Sequence, residues 1–229
     1  MKICFVVSEI GFFLSHRFGV AKEISSKHQV SVITDTSKSR PGDCLKLEDA
    51  GIEIIPLNNR PYSASLGEYL KYILKLRKKI KTCSPEYIFF VTIELSILGA
   101  FIHNLIGVKQ TFFLITGFGP FVLPDNFKAK LFRIINKIAY LFLIFNKNFK
   151  FIFQNQDDMN IFLNMNISKK SNSLLIKGSG INTKEFPFVE RNENNELTFL
   201  FAARLVKSKG LNEFLEAGKI LMTKYPETK

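Results

Sequence analysis

The sequence contains no tryptophan, and only three of its 229 residues are cysteine. Cys4, Cys44 and Cys83 are widely spaced, form no CxxC pair and leave one thiol over in any disulfide scheme. That excludes a disulfide framework and fits a reducing cytosol. No run of about 18 uninterrupted apolar residues occurs, so no transmembrane helix is expected. The apolar start MKICFVVSEIGFFLS carries one lysine, is interrupted by Ser8 and Glu9, and offers no small-residue cleavage site, which argues against a signal peptide. Neither GxGxxG nor GxxxxGK[ST] is present, so a dinucleotide or P-loop site is unsupported. A Ser/His/Asp arrangement and a cluster of metal ligands are likewise missing, and no metal and no cofactor are expected.

Acidic residues are few: 20 Asp and Glu stand against 32 Lys and Arg, a formal net charge of +12. Anionic partners fit this balance, whether nucleic acid, an anionic membrane surface or a phosphorylated small molecule; a merely lysine-rich soluble protein fits it equally. Nucleic acid ranks last, because the cations are spread along helices without interleaved exposed aromatics. The remaining composition is globular, with 46% hydrophobic residues and 24 phenylalanines, which excludes disorder.

Short β-branched and aromatic runs alternate with longer stretches of helical period, the pattern of a doubly wound parallel sheet of the α/β class. The expected strands are Lys2–Val7, Gln29–Thr34, Ile52–Leu57, Tyr87–Val91, Gln110–Ile115, Phe151–Gln154 and Ser173–Lys177. Most are apolar on both faces, as a sheet covered on both sides requires. Helices are expected at Ser15–Ser26, from Leu66 to about Thr82, at Glu94–Ile106 with Gly107 as C-cap, at Asn126–Asn146, and at Gln156–Met165 with Asn155 as N-cap. Ser65 and Glu68 have the spacing of a capping box for the second of these.

Residues 1–188 therefore read as one doubly wound domain, 189–196 as a polar linker, and 197–229 as the first strand, loop and helix of an incomplete second Rossmann-like domain. The strand of that last unit is LTFLFAA, and its helix is Leu211–Lys224.

Ligands of open parallel sheets bind beyond the carboxyl ends of the strands. Four loops there are unusual: EIGFFLSHR, TGFGP, GSGINTKEF and ARLVKSKG. In the last, Arg204 and Lys209 bracket a loop that enters a helix at Gly210, a combination that suits a diphosphate and equally suits a solvated basic turn. Gly178 and Gly180 around Ser179, and Gly117 and Gly119 in TGFGP, would let a backbone approach a ligand without a Cβ in the way, or simply make turns. His103, within FIHNLIG, reads as a packed, hydrogen-bonded histidine. The segment FKAKLFRIINKIAYLFLIFNKNFKFIF (residues 127–153) pairs a basic face with an apolar one, as interfacial helices and core-packed helices both do.

Taken in order, FFLSHRFGVAKEI, ITGFGP, IFQNQDD, GSGINTKEF and FAARLVKSKG resemble the bacterial glycosyltransferase family 4, across essentially the whole chain. Members that add sugars to polyprenyl-diphosphate-linked glycans are the nearest in kind. The resemblance implies a GT-B fold and a metal-independent, retaining hexosyl transfer from a nucleotide-sugar, a UDP-sugar by preference, to a lipid-linked or oligosaccharide acceptor in surface glycan biosynthesis. It implies donor-diphosphate roles for Arg204, Lys209, Gly178 and Ser179. Acceptor-side roles fall to Gly11, His16, Arg17, Gly117, Phe118 and Gly119, with Arg17 meeting an acceptor phosphate. It further implies a cytoplasmic protein in peripheral contact with the anionic inner face of the plasma membrane. In a typical member the family's E-x7-E signature, which contacts the donor sugar, lies beyond the position of Lys229. On that reading this chain alone is inactive, or is a non-catalytic acceptor- and membrane-binding module or partner subunit without a donor site.

Overall fold

The computed structural model describes residues 1–58, 66–117, 134, 138–141, 143, 147–190, 197–203 and 205–228. These form two compact units, Met1–Asn182 and Thr183–Lys229.

The first unit is built on seven parallel strands: β1 (Lys2–Glu9), β2 (Gln29–Asp35), β3 (Ile52–Pro56), β4 (Tyr87–Val91), β5 (Gln110–Ile115), β6 (Phe149–Phe153) and β7 (Ser173–Leu175). Their spatial order is β3-β2-β1-β4-β5-β6-β7. The chain thus winds outward from β1 in one direction and, after β3, crosses back to β4 and winds the other way. The β1/β4 pair is the topological switch point, where adjacent loops diverge and leave a crevice. All seven strands lie where sequence pattern puts them, with ends differing by a few residues.

Successive strand residues face opposite sides, and two cores result. Cys4, Val6, Ile33, Ile88, Phe90, Phe113, Phe151 and Phe153 face one core. Ile3, Phe5, Val7, Val30, Val32, Val91 and Leu114 face the other. The first core is closed by α4 (Leu66–Cys83), α5 (Ile93–Ile102), the helical residues 138–141 and α6 (Gln156–Asn164). The second is closed by α1 (Ile10–His16), α2 (Phe18–Ser25) and α3 (Asp43–Glu48). Phenylalanine dominates because broad rings fill the space between sheet and helices: Phe113, Phe151, Phe162 and Tyr140 make edge or tilted contacts at 5.2–6.2 Å.

Tyr140 is 5% exposed, and its hydroxyl has no hydrogen-bond partner among the described residues. Burial pushes the phenol well above its ordinary pKa, so it stays neutral and simply wastes a donor. Tyr140→Phe is expected to stabilise the fold by about 1 kcal/mol and raise Tm by roughly 2–4 °C. A lower melting temperature would show that the hydroxyl does find a partner.

Several helices depart from the sequence reading. The single helix expected over Ser15–Ser26 is two helices, starting at Ile10 and broken at Arg17 (φ −130°, ψ −15°). The early start is set by Ile10 and Phe13, 1% and 0% exposed, which plant the first turn on the end of β1. The helix expected over Glu94–Ile106 tightens after Ile102 into a 3-10 turn, His103–Leu105, with Gly107 at φ +65°. His103 is fully buried, and its Nδ1 lies 2.9 Å from Thr111 Oγ1. α3 is additional. Ser65 and most of Asn126–Asn146 lie outside the described residues, as do most of 127–153.

In the second unit LTFLFAA is not a strand. A strand exists only through ladder hydrogen bonds to a neighbour, and among the described residues no strand lies beside 197–203. The helix Leu211–Lys224 (α7) has its expected bounds, and Phe214 packs on Phe201 with ring centroids 5.2 Å apart.

Candidate functional site

The carboxyl edge at the switch point is built from unusual backbone. β1 shifts register between Val6 and Glu9, a bulge that re-aims the residues entering α1. Where β4 ends, Thr92 has φ +87° and ψ +153°, a region that glycine occupies almost alone. Its amide donates to Leu114 O and its carbonyl accepts from Ser96, so the conformation is held from both sides. Its hydroxyl is buried and has no partner among the described residues. Strain and an unmatched polar atom thus coincide at the crevice. Nothing in the sequence VTIEL marks this, since a β-branched residue is the last choice for positive φ. Thr92→Gly is expected to stabilise the protein by about 1 kcal/mol, strain relief of roughly 1–3 kcal/mol outweighing glycine's entropy. Thermal melts would read it, and a loss of stability would mean that Thr92 makes contacts worth more than the strain.

Arg17 sits at the break between α1 and α2. Position 17 stands four residues after Phe13 and seven after Ile10, on the helical face that meets the core, and Arg17 is only 7% exposed. Its Nη1 donates to Ser179 Oγ at 3.0 Å and to His16 O at 3.3 Å. Nε and Nη2 are buried without a partner among the described residues. Desolvation holds the guanidinium below its ordinary pKa, yet arginine does not deprotonate in proteins. A buried cation with two donors unmatched among the described residues has the chemistry to take an anion.

Ser179 reaches Arg17 from far along the sheet. Strands are about 4.8 Å apart, so β7 stands roughly 19 Å from β1, and the segment after β7 must run back across the carboxyl edge. Gly178 and Gly180, at φ +69° and +70°, make that path possible. Gln154, just past β6, donates from Nε2 to Ser179 Oγ at 3.5 Å. The turn that presents it is fixed by Asn155, which accepts from the Asp158 amide and donates to the Asp158 carboxylate, both at 2.7 Å. Burial raises the Asp158 pKa, against the effect of that hydrogen bond.

Residues implied separately for the donor and acceptor sides, Ser179 and Arg17, are therefore hydrogen-bonded. Gly11 and the ring of Phe12 line a cavity of about 530 Å³ beside Glu9, Lys38, Arg40 and Lys46. His16 is exposed, stacked on Phe12 at 4.5 Å, with Nδ1 2.7 Å from Ser15 Oγ. Gly117 follows β5 at φ +133°. Lys209 closes a 3-10 turn, Lys207–Lys209, and is exposed at the entry to α7 in the second unit. Phe118, Gly119 and Arg204 lie outside the described residues. Thr92 and Gln154 are the site residues that sequence reasoning missed.

No family model matches the chain. Over 191 residues it is 28% identical to the N,N'-diacetylbacillosaminyl-diphospho-undecaprenol alpha-1,3-N-acetylgalactosaminyltransferase of Campylobacter jejuni, covering 78% of this chain and 50% of that protein. Its fold matches Anabaena HepE, solved in complex with UDP and glucose, with TM-score 0.65 at 15% identity, over 100% of this chain and 60% of that one. The chain is a homologue of a lipid-linked-glycan glycosyltransferase, built on the GT-B fold. It spans about half the length of the curated relative it matches. A UDP-N-acetylglucosamine 2-epimerase shares the GT-B architecture with TM-score 0.54 at 10% identity, over 100% of this chain and 62% of its own. Fold alone therefore does not select transfer over epimerisation.

Proposed function

We propose that this chain is the acceptor-side half of a glycosyltransferase that moves a sugar from a nucleotide-sugar to a polyprenyl-diphosphate-linked acceptor at the cytoplasmic face of a membrane. The supporting observation is Arg17, a guanidinium more than nine-tenths buried, with Nε and Nη2 without a partner among the described residues. A fork of N–H donors in a dry site matches a phosphate better than it matches a hydroxyl.

In this reading Arg17 holds an acceptor phosphate, and Gly11, His16, Gly117, Phe118 and Gly119 contribute to the acceptor side. Residues 1–188 form the acceptor domain, and 197–229 begin the donor domain. Gly178, Ser179, Arg204 and Lys209 bind the donor diphosphate. As the anomeric C–O bond breaks, negative charge collects on the departing diphosphate, and cations already in place stabilise it without a divalent metal. The transfer retains anomeric configuration. In this reading turnover belongs to the protein completed by a donor-side half, and the match to half of a relative's length supports it.

A short-chain polyprenyl diphosphate bearing one N-acetylhexosamine, titrated calorimetrically into this chain, tests the acceptor assignment. Saturable binding displaced by inorganic pyrophosphate is expected; no heat with either compound would overturn it. The transfer itself is tested by release of UDP from a UDP-sugar by the completed protein with that acceptor.

A further inference from the structure

All three cysteines are thiols, and two of them meet. Cys4 lies in the amino-terminal half of β1, fully buried, and pairs in register with Ser31 of β2. Residues so paired point to the same face of the sheet, here the face closed by α4. α4 keeps Tyr72, Leu76 and Ile80 in that core, and Cys83, its last residue, continues the stripe as a half-buried member. Ser84 ends the helix in left-handed backbone, φ +43°, with its amide donating to Ile80 O at 3.0 Å, and Cys83 Sγ donates to the same carbonyl at 3.3 Å. The Cys83 thiol is thereby pinned between the end of α4 and the sheet.

Cys4 donates its S–H to the Cys83 sulfur, and the Ser31 hydroxyl serves both. The bond from Cys4 draws the Cys83 thiol below its ordinary pKa against the effect of burial, and the same bond, together with burial, holds Cys4 well above its own. Cys83, with exposed neighbours Thr82 and Ser84, is thus the thiol that ionises and meets solvent, while Cys4 behind it keeps its proton. Cys44 is the one left over. It packs on the core at the other face of the sheet, out of reach of both.

We propose that Cys4 and Cys83 are a site of reversible oxidation, closing to a disulfide when the folded chain meets hydrogen peroxide. The Cys83 thiolate attacks one oxygen of the peroxide; the O–O bond breaks, and the departing hydroxide takes up the proton that Cys83 gave up and leaves as water. The sulfur, oxidised by two electrons, becomes a sulfenic acid. Cys4 then attacks that sulfur, the S–O bond breaks as the S–S bond forms, and the Cys4 proton leaves with the hydroxyl as a second water. A thiol already in contact resolves the sulfenic acid before further peroxide carries it to the irreversible sulfinic stage. In a reducing compartment such a bond is transient and serves redox sensing. It ties the end of α4 to β1 toward the amino ends of the strands, away from the crevice at their carboxyl ends, and the inference does not rest on the transfer reaction.

Peroxide treatment of the reduced 229-residue chain at 25 °C, followed by alkylation, digestion and mass spectrometry, tests it. The expected product is a peptide pair linking Cys4 to Cys83, lighter by two hydrogens, with Cys44 still alkylated and both thiols recovered after dithiothreitol. The bond closes the long loop between them, so the oxidised chain should melt roughly 5–10 °C higher than the reduced one. In Cys4→Ser the sulfenic acid has no resolving partner, and dimedone should label Cys83; in Cys83→Ser, Cys4 should stay unlabelled. Melting curves show whether each variant is folded, and the linked peptide is read on the unsubstituted chain whatever they show. Retention of both thiols after peroxide, a link to Cys44, a link that forms only in urea, or a lower melting temperature on oxidation would each overturn the proposal.

Discussion

Arg17→Met is expected to bind a polyprenyl-diphosphate acceptor at least tenfold more weakly than the unsubstituted chain while melting at a higher temperature. The two effects share one cause. Burial leaves Nε and Nη2 unmatched, and an unmatched buried donor costs about 1–3 kcal/mol. Methionine of similar length removes that cost and keeps the packing. A phosphate entering the site would instead complete charge-assisted hydrogen bonds worth roughly 1.5–3 kcal/mol, and losing these corresponds to about 10–150-fold in affinity. Arg17→Lys should recover only part, because an ammonium presents a point charge without the fork. Ser179→Ala separates ligand binding from scaffolding. It deletes the 3.0 Å contact and spares the cation, so affinity should change less than about threefold if Arg17 acts on the ligand. Unchanged affinity in Arg17→Met, with a large loss in Ser179→Ala, would make the arginine a strut for the returning segment after β7. Ligand should also raise the melting temperature of the unsubstituted chain and leave that of Arg17→Met unmoved.

The sheet was legible because its strands are short runs buried on both faces, and burial of that kind leaves almost no choice of residue. Phe89, Phe112 and Phe5 stack across β4, β5 and β1 at 4.5–4.9 Å, and each announces its strand. What the sequence hid is backbone conformation. The break at Arg17 does not show as a glycine or proline, and Ile10, Phe13, Arg17 and Ala21, all buried, keep the spacing of one continuous helical face across it. Thr92 was invisible for the opposite reason, since its conformation runs against its propensity and is imposed by hydrogen bonds from β5 and α5. The run LTFLFAA misled because composition records a segment's fitness for a sheet and says nothing of whether a partner strand is beside it. Of the site, the loops were readable as loops after strands, but the meeting of Arg17 and Ser179, 162 residues apart, follows only from the strand order.

The second large effect concerns the fold that carries the site. Gly99→Ala, one methyl group, should destabilise the first unit by about 1–3 kcal/mol. Gly99 lies in α5 where the helix presses on β4, and a Cβ there would meet the Phe90 ring at 2.6 Å on Cδ2 and Cγ and at 2.8 Å on Cδ1. Cγ is next to the root of the side chain, so rotating the ring does not clear it. Phe90 is fully buried beside Phe113, at 5.9 Å between centroids, and has no free volume to retreat into. The clash must push α5 off the sheet or tilt the ring out of its rotamer. Alanine's better helix propensity returns about 1 kcal/mol, which makes the net loss smaller than the steric cost; Gly99→Val, bulkier and β-branched, should approach loss of soluble protein. Gly218→Ala in α7 supplies the control, because nothing lies within 4 Å of its Cβ position. There the propensity gain stands alone and stability should rise by up to about 1 kcal/mol in the second unit. Opposite signs at these two helical glycines, read by urea melts, would locate the cost in the Phe90 contact; a gain at both would mean that α5 yields, and that the edge of the sheet bearing Thr92 is softer than its packing implies.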